Sequence, residues 1–186
     1  QGGGSGVDVA ASTFGGALFY RMDPEADPAS FAANLPEGLV LEVFWSGQSA
    51  RTSELLERVR SFARNDRRHY ERTIERLTDA SSVGRGACLD GDVGAFVRAG
   101  TQTAAALAQL GRQADAPIVP LPFADLALLA EREGAAFYPS GAGGGDVGVW
   151  LGRAPASPTF VESARGVGMS RLEIGLDRAG VRTRED

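Results

Sequence analysis

Large apolar residues recur at every second position along three segments of the chain, at residues 39–45, 147–152 and 172–177, and the first of these is apolar at nearly every position. A period of two places successive side chains on opposite faces of a strand, so this spacing predicts three β-strands. Two shorter apolar runs, residues 17–20 and 136–138, are predicted to be strands as well. Residues 22–37 contain three prolines and several acidic residues, and we predict that this stretch is a loop.

Other apolar residues recur at the three- and four-residue spacing of an amphipathic helix. Thr52 is a suitable residue to begin one such helix, and Gly111 and Gly134 are suitable residues to end two others. The predicted helices lie at residues 7–12, 52–63, 70–77, 93–110, 122–133 and 159–167. From residue 39 onward the elements run strand, several helices, strand, strand, helix, strand. This order is typical of an α+β fold of the split βαβ, or ferredoxin-like, type with inserted helices.

Composition narrows the possible functions of this 186-residue chain. Hydrophobic residues make up 43% of it, enough to form the core of one domain, or of one domain and part of another. The net charge of -5 argues against a nucleic-acid partner, because neutralising phosphates requires an excess of basic residues. All 19 basic residues are arginine, so a bound phosphate would be held by backbone N–H groups, arginine or a metal, and not by a P-loop lysine.

Signals for export, membrane insertion and metal binding are absent from the sequence. No apolar run approaches the roughly 18 residues of a membrane span, and the first residues lack the pattern of a secretion signal. Cys88 and His69 are the only residues of their types, which excludes an internal disulfide and a histidine-rich zinc site, and no metal ligands are predicted. We therefore expect a cytoplasmic protein. Because the chain starts with Gln1, we also expect a processed or truncated product.

Glycine is the unusual component of the chain, with 25 residues, and it forms two runs near the chain ends, at residues 2–6 and 141–145. The second run lies between two predicted strands, in the segment Ser140-Gly141-Ala142-Gly143-Gly144-Gly145-Asp146. Consecutive residues without a Cβ atom allow backbone N–H groups to converge on an anion. A two-residue hairpin turn requires only one or two glycines, so an anion-binding loop is favoured over a simple turn.

The first glycine run leads into Ser5-Gly6-Val7-Asp8, at the start of a predicted helix. A carboxylate here can cap the helix without any chemical role, and aspartate is strongly preferred as a cap. The residues by themselves leave both the capping and the catalytic interpretation of Asp8 open.

The remaining reactive side chains have structural interpretations. His69 lies among arginines and is predicted to be a solvated surface residue. Cys88 follows two closely spaced glycines, which predicts a structural thiol in a loop. The arginines over residues 58–76 are interleaved with acidic residues, as on a solvated helix face.

The two glycine segments, with the ferredoxin-like layout between them, resemble the GHMP kinase superfamily of small-molecule kinases. Residues 140–146 are similar to the third, C-terminal motif of that superfamily, and residues 4–12 are similar to the segment that carries its catalytic aspartate. Asp146 directly after the glycines, together with Trp45-Ser46-Gly47, is most similar to the phosphomevalonate kinases. Residues 12–16 are similar to the mevalonate kinases, which are the alternative within the superfamily.

The resemblance implies a domain division and a reaction. Residues 1–37 would be the end of the N-terminal kinase domain, and residues 38–186 would be the GHMP kinase C-terminal domain. The implied reaction is the ATP-dependent phosphorylation of 5-phosphomevalonate to 5-diphosphomevalonate in isoprenoid precursor synthesis. The alternatives are a mevalonate or sugar kinase of the same superfamily, with a hydroxyl acceptor, and a non-catalytic fragment that lacks the ATP-binding motif.

The resemblance also implies the roles of individual residues. Asp8 would be the catalytic residue. The implied phosphate- and ATP-binding residues are Ser140, Gly141, Ala142, Gly143, Gly144 and Gly145. The implied substrate-binding residues are Ser5, Gly6, Arg51 and Asp146. In the superfamily a nucleotide-binding glycine-serine motif, the Mg2+ ligands and a lysine precede the aspartate segment, so we expect the ligands of ATP and Mg2+ upstream of this chain.

Overall fold

The computed structural model describes residues 5–23, 26–49, 52–141 and 143–182, and the chain divides into two compact units. The smaller unit comprises Gln1–Leu35 together with Ile174–Asp186. The larger unit comprises Pro36–Glu173. None of the helices in these described ranges is long and apolar enough to cross a membrane.

The smaller unit contains one short helix and one antiparallel pair of strands. Its elements are α1 (Val7–Phe14), β1 (Ala17–Asp23) and β2 (Ala26–Ala33). The helix ends at Gly15, whose N–H donates to the Ala11 carbonyl. Ala17 pairs with Ala33 at the ends of the two strands that lie furthest from their connection. The register of the pairing shifts between Arg21 and Asp23. A bulge of this kind bends the strand where its pairing is interrupted.

The predicted loop over residues 22–37 is wrong, because β2 occupies half of it and β1 extends into its first two residues. Proline argued for a loop since it cannot donate a backbone hydrogen bond. Pro28 nevertheless lies within β2, beside the register shift in β1, where the regular ladder is already interrupted. Among the described residues β2 pairs only with β1, so proline is tolerated there as it is on other edge strands.

The larger unit contains the remaining helices and strands. In chain order they are β3 (Val40–Trp45), α2 (Thr52–Asn65), α3 (Arg67–Asp90), α4 (Val93–Gln113), α5 (Leu121–Arg132), β4 (Ala136–Ser140), β5 (Val147–Gly152), α6 (Pro158–Gly166) and β6 (Ser170–Leu172). The four strands form one antiparallel sheet in the order β4-β5-β3-β6. This strand order and the crossover helices confirm the predicted α+β, ferredoxin-like class.

One face of the sheet holds an aromatic core against α5 and α6. Phe44, Phe137 and Trp150 lie on this face because side chains alternate along each strand. The ring of Phe160, from α6, lies 4.6 Å from Trp150, 5.2 Å from Phe137 and 5.4 Å from Phe44, measured between ring centroids. Burying several aromatic rings in edge-to-face contact stabilises this layer strongly.

The opposite face of the sheet is covered in part by α4, through Val93 and Val97 packed on Leu151. α4 and α3 form a helical hairpin that is inserted between β3 and β4. Asp66 and Asp92 cap these two helices by accepting hydrogen bonds from the N–H groups of residues 69 and 95. These capping bonds hold the pKa of both carboxyls below the usual value.

Two further predictions about the larger unit are wrong in detail. Cys88 lies inside α3 and not in a loop, because packing of α3 along α4 outweighs the roughly 1 kcal/mol that each interior glycine costs a helix. The strand predicted at residues 172–177 ends at Leu172, which pairs with Val43. The chain leaves the sheet after this pair, and Ile174 onward belongs to the smaller unit.

Candidate functional site

A glycine loop, which we define as residues 141–146, connects β4 to β5. Gly141, Gly143, Gly144 and Gly145 have φ angles of 78°, 78°, 81° and 97°. Residues with a Cβ atom rarely adopt this left-handed region. The glycines are therefore required by the backbone conformation of the loop, as predicted for a specialised loop and not for a simple two-residue turn.

The glycine loop is fixed on one side by the segment that connects α4 to α5. The Gly144 N–H donates to the Ile118 carbonyl at 2.9 Å. Gly143 is buried against the same residue, and a Cβ atom on Gly143 would lie 2.5 Å from the Ile118 carbonyl oxygen. In this conformation the Gly144 N–H is already used, so an anion bound by the loop would be held by other N–H groups.

Ser46 fixes the other side of the loop from the end of β3. Its hydroxyl donates to the Gly145 carbonyl, and its N–H donates to the Asp146 carbonyl at 3.0 Å. The Gln48 N–H donates in turn to the Ser46 hydroxyl at 3.2 Å. Sequence reasoning named Ser46 only as part of a motif and missed its role as an anchor. The signal in the sequence is a serine directly after a predicted strand and before Gly47. In the structure Gly47 has a positive φ of 77°, as expected for a turn at this point.

The predicted phosphate-binding residues differ in accessibility. Ser140 and Gly141, at the start of the loop, are exposed, whereas Gly143 and Gly145 are buried. Gly144 and Asp146 are half-buried. Ala142 and Arg51 lie outside the described residues. The exposed Ser140 hydroxyl, directly before the loop, is thus an accessible donor for an anion.

The aspartate segment lies in the smaller unit, at the start of α1. Gly6, with φ 74°, is the N-cap residue and supplies no capping side chain. The Ser5 hydroxyl accepts from the Val7 N–H at 3.4 Å, and the Tyr20 hydroxyl donates to the Ser5 carbonyl at 2.5 Å. Tyr20, on β1, therefore holds the turn that precedes the helix, a contact that the sequence did not suggest.

Asp8 lies in the first turn of α1 and is exposed. It is not the N-cap residue, so the capping interpretation that the sequence left open is not supported by the helix geometry. Its side chain still lies near the positive end of the helix dipole, where a negative charge stabilises the helix. The structure brings Ser5, Gly6 and Asp8 together on one turn.

The other reactive side chains have structural roles. The imidazole of His69 is exposed and lies 2.7 Å from the carboxylate of Asp66, the cap of α3. Burial raises the pKa of the Cys88 thiol, so this residue is not an activated nucleophile. Within the described ranges, no three His, Cys, Asp or Glu side chains are grouped so as to hold a metal ion. A cleft of about 600 Å³ between α6 and β6 is lined by Arg165, Arg171 and neighbouring residues, none of which is a predicted site residue.

Known proteins resemble this chain in sequence and in fold. The phosphomevalonate kinase of Streptomyces sp. (strain CL190) is 30% identical to it over an alignment of 174 positions, and the match covers 83% of this chain and 46% of that protein. L. major mevalonate kinase, solved in complex with R-mevalonate, has a TM-score of 0.72 at 22% identity, over 92% of this chain and 52% of that one. Streptococcus pneumoniae phosphomevalonate kinase, solved in complex with phosphomevalonate and AMPPNP, has a TM-score of 0.63 at 18% identity, over 80% of this chain and 44% of that one. No protein-family model matches the chain.

The chain spans about half the length of each of these relatives. The solved structures establish the fold, an α+β fold that this chain shares with a mevalonate kinase and a phosphomevalonate kinase. The curated relative adds a similarity in sequence that extends over most of this chain. Sequence and fold together confirm the resemblance of this chain to the GHMP kinase superfamily, with a phosphomevalonate kinase as a relative in sequence.

Proposed function

We propose that this chain is part of an ATP-dependent kinase that phosphorylates 5-phosphomevalonate to 5-diphosphomevalonate. The observation that carries this proposal is the 30% identity to a phosphomevalonate kinase across 83% of the chain. The glycine loop supports the proposal because its conformation depends on several glycines and its first residues are open to an anion. Phosphoryl transfer relies mainly on positioning and on stabilising negative charge, which a loop of backbone donors can supply.

In the proposed reaction a phosphate oxygen of the acceptor attacks the γ-phosphorus of ATP, and the bond to the bridging oxygen of ADP breaks. The Ser140 hydroxyl and backbone N–H groups near Gly141 would donate to the phosphate oxygens. A phosphate monoester has a second pKa near 6, so the acceptor is mostly ionised at neutral pH and needs little help from a base. We propose that Asp8 orients this acceptor, together with Ser5 and Gly6.

The smaller unit is proposed to be the end of a larger N-terminal domain, with the boundary near residue 37. Its described residues include no buried side chain, and large apolar side chains on all three of its elements are exposed. An isolated strand pair with one short helix is at best marginally stable, and exposed apolar surface of this kind is usually covered. We propose that the Mg2+ ligands and further ATP-binding residues lie in that domain, as the resemblance to the superfamily implies.

A mevalonate kinase is the second candidate. The observation that favours it is the TM-score of 0.72 over 92% of the chain for the mevalonate kinase, against 0.63 over 80% for the phosphomevalonate kinase. The two candidate functions require different chemical roles of Asp8. An alcohol keeps its proton at neutral pH, so transfer to mevalonate requires a base, whereas transfer to a phosphate does not.

The test is ADP release by the full-length gene product with ATP and Mg2+, using 5-phosphomevalonate, mevalonate and galactose as acceptors. We expect turnover with 5-phosphomevalonate and little with the other two. Turnover only with mevalonate would replace the proposal by the second candidate. A folded protein without turnover on any acceptor would overturn the kinase proposal and favour a non-catalytic protein of this fold.

The Asp8→Asn variant separates the two roles of the carboxylate. For a phosphate acceptor we expect a loss of kcat of about tenfold, because only orientation is affected. For an alcohol acceptor we expect a loss of roughly 10²–10⁴-fold, the usual contribution of a general base. Equal losses on both acceptor types would contradict this distinction.

A further inference from the structure

The end of α1 is attached by backbone hydrogen bonds to a segment from the other end of the sequence. We define residues 177–181 as the C-terminal clip. The Gly16 N–H donates to the Asp177 carbonyl at 2.7 Å, and the Val181 N–H donates to the Thr13 carbonyl at 3.3 Å. Both contacts lie within the smaller unit. They join the clip to the last residue but one of α1 and to the turn that follows it.

Between these two hydrogen bonds, Gly15 and Gly180 are in direct backbone contact. A Cβ atom on Gly15 would lie 2.3 Å from the Gly180 nitrogen. A Cβ atom on Gly180 would lie 2.3 Å from the Thr13 carbonyl oxygen and 2.7 Å from the Gly15 nitrogen. Both glycines also have positive φ angles, 67° and 61°. The contact therefore requires glycine on both sides.

The clip has its own internal support. The Asp177 carboxylate accepts a hydrogen bond from the Ala179 N–H at 3.0 Å and lies 3.5 Å from the Arg182 guanidinium. A carboxylate that bonds to the backbone two residues ahead fixes a tight turn. This turn presents Gly180 to the end of α1.

The position of α1 depends on contacts at its two ends, because the helix is short and exposed. It has 8 residues and none of them is buried. A helix of this length is unstable alone in water, so its position depends on contacts at its ends. The start of the helix is held by the bond from Tyr20 to Ser5, and its end is held by the clip.

We propose that the C-terminal clip is a positioning element that fixes α1 and thereby the Asp8 carboxylate on its first turn. The inference rests on the proposed function, since it is the proposed role of Asp8 that makes the position of α1 matter for catalysis. Displacing a reacting or orienting group by about 1 Å can reduce the rate by roughly 10²-fold. Loss of the clip is therefore expected to reduce kcat and to leave the nucleotide KM nearly unchanged.

The direct test is Gly180→Ala in the full-length gene product, with kcat, the KM for ATP and hydrogen exchange of the amides of α1 as readouts. We expect kcat to fall roughly 10- to 100-fold, the KM for ATP to stay within about twofold, and exchange in α1 to accelerate. Wild-type kcat in Gly180→Ala would overturn the proposal, even if exchange in α1 accelerates.

Two glycine variants serve as matched controls. Gly175 lies two residues before the clip and has no positive φ. A Cβ atom there would meet nothing within 4 Å. Gly168 has a φ of 85° but also has open space, so Gly168→Ala introduces backbone strain without a clash. Both variants should keep wild-type kcat and wild-type exchange in α1. A loss of kcat in Gly175→Ala equal to that of Gly180→Ala would overturn the specific role of the clip.

A milder pair of variants covers the case in which Gly180→Ala does not fold. Asp177→Ala removes the acceptor for the Ala179 N–H, whereas Asp177→Asn keeps an oxygen acceptor at the same place. We expect a lower kcat and faster exchange in α1 for the first variant, and recovery of both in the second. Equal kcat in the two variants would overturn the proposal.

Measuring both kcat and hydrogen exchange in α1 distinguishes a failure of this inference from a failure of the proposed function. If the wild-type protein turns over no acceptor, the proposed function fails and the catalytic role of the clip fails with it. Exchange in α1 then still reports whether the clip holds the helix. If the wild-type protein is active and Gly180→Ala is equally active, the proposed function stands and only the clip is rejected.

Discussion

The larger unit buries a cluster of aromatic side chains, whereas none of the described aromatic residues of the smaller unit is buried. Phe160 is completely buried in the larger unit, and Phe31 on β2 of the smaller unit is 64% exposed. The smaller unit exposes large apolar residues on each of its elements and on its C-terminal segment; these residues are Val7, Val9, Phe14, Met22, Phe31, Ile174, Leu176 and Val181. None of its described residues is buried.

This difference shows that the two units are ordered by different interactions. The larger unit has the side-chain packing of a complete core on at least one face of its sheet. In the smaller unit, strand pairing, the bond from Tyr20 to Ser5 and the C-terminal clip fix the backbone instead. Backbone contacts of this kind can define a conformation while adding little stability, because each hydrogen bond contributes only about 1 kcal/mol net.

The largest expected effect tests this comparison with one substitution in each unit. Phe160→Ala removes a ring that contacts three others, and we expect it to lower the free energy of unfolding by about 3–5 kcal/mol. Phe31→Ala should change that free energy by less than about 0.5 kcal/mol, as for most exposed positions. Denaturant unfolding of both variants is the measurement. A cost for Phe31→Ala close to that of Phe160→Ala would show that the smaller unit buries this ring in solution.

The next largest effect concerns the glycine loop, where two glycines with the same φ of 78° differ in their surroundings. A Cβ atom on Gly141 would meet nothing within 4 Å, so Gly141→Ala should cost only the roughly 1–2 kcal/mol of a left-handed residue. Gly143→Ala would also push the Ile118 carbonyl away, and we expect a total cost of about 3 kcal/mol. The difference in the free energy of unfolding between the two variants, measured with denaturant, reports the cost of the clash with Ile118. Equal costs would mean that the loop moves away from Ile118 without penalty.

Much of the larger unit could be predicted from the sequence because its elements are amphipathic. Alternation at residues 39–45 and 147–152 identified the two central strands, since each lies in the sheet with side chains on both faces. The helical spacing likewise located α2 to α6 to within a few residues, apart from the glycine-containing end of α3. Periodicity works here because burial selects the same residues that the pattern counts.

The remaining features depend on contacts that leave no local pattern. The bond from Ser46 to Gly145 joins residues 99 apart in the sequence, and a serine after a strand has many possible partners. Gly180 is a single glycine in a polar segment, where an ordinary turn is the obvious interpretation. β2 was missed because the prolines and acidic residues in and around it are typical of a loop, although its pairing with β1 tolerates Asp27 and Pro28. The candidate loop was predictable from its glycines, but the residues that anchor it were not.

A smaller loss of stability is expected from substituting Ser46. Its hydroxyl, and not the packing of a core, holds the glycine loop of the larger unit. Ser46→Ala removes the donor to the Gly145 carbonyl, and we expect a cost of about 1 kcal/mol. Ser46→Thr keeps the hydroxyl and should recover most of this stability. Hydrogen exchange at residues 143–146 should accelerate in Ser46→Ala and stay close to wild type in Ser46→Thr. Unchanged exchange in both variants would show that the backbone bonds from Gly144 to Ile118 and from Ser46 to Asp146 hold the loop without the hydroxyl.

The smallest effect concerns the helix caps, which also differ between the units. In the larger unit the Asp92 carboxylate accepts from the Ala95 N–H, and this bond holds its pKa below the usual value of 3.8. In the smaller unit the N-cap of α1 is Gly6, which has no side chain to titrate. A carboxyl whose pKa is lower in the folded state stabilises the protein above its unfolded pKa, and this contribution disappears as the pH falls through the folded pKa.

Asp92→Asn should therefore remove part of the acid sensitivity of the larger unit. The amide still accepts the hydrogen bond from the Ala95 N–H but does not titrate, so its contribution persists in acid. At pH 7 we expect the variant to be slightly less stable than the wild type, because the negative charge at the start of α4 is lost. The drop in melting temperature between pH 7 and about pH 3 should be smaller in Asp92→Asn than in the wild type. Asp125→Asn, at an exposed position within α5 where the described residues provide no hydrogen-bond donor, is the matched control and should show the wild-type drop. If both variants lose acid sensitivity equally, overall charge and not the cap of α4 determines how this unit responds to acid.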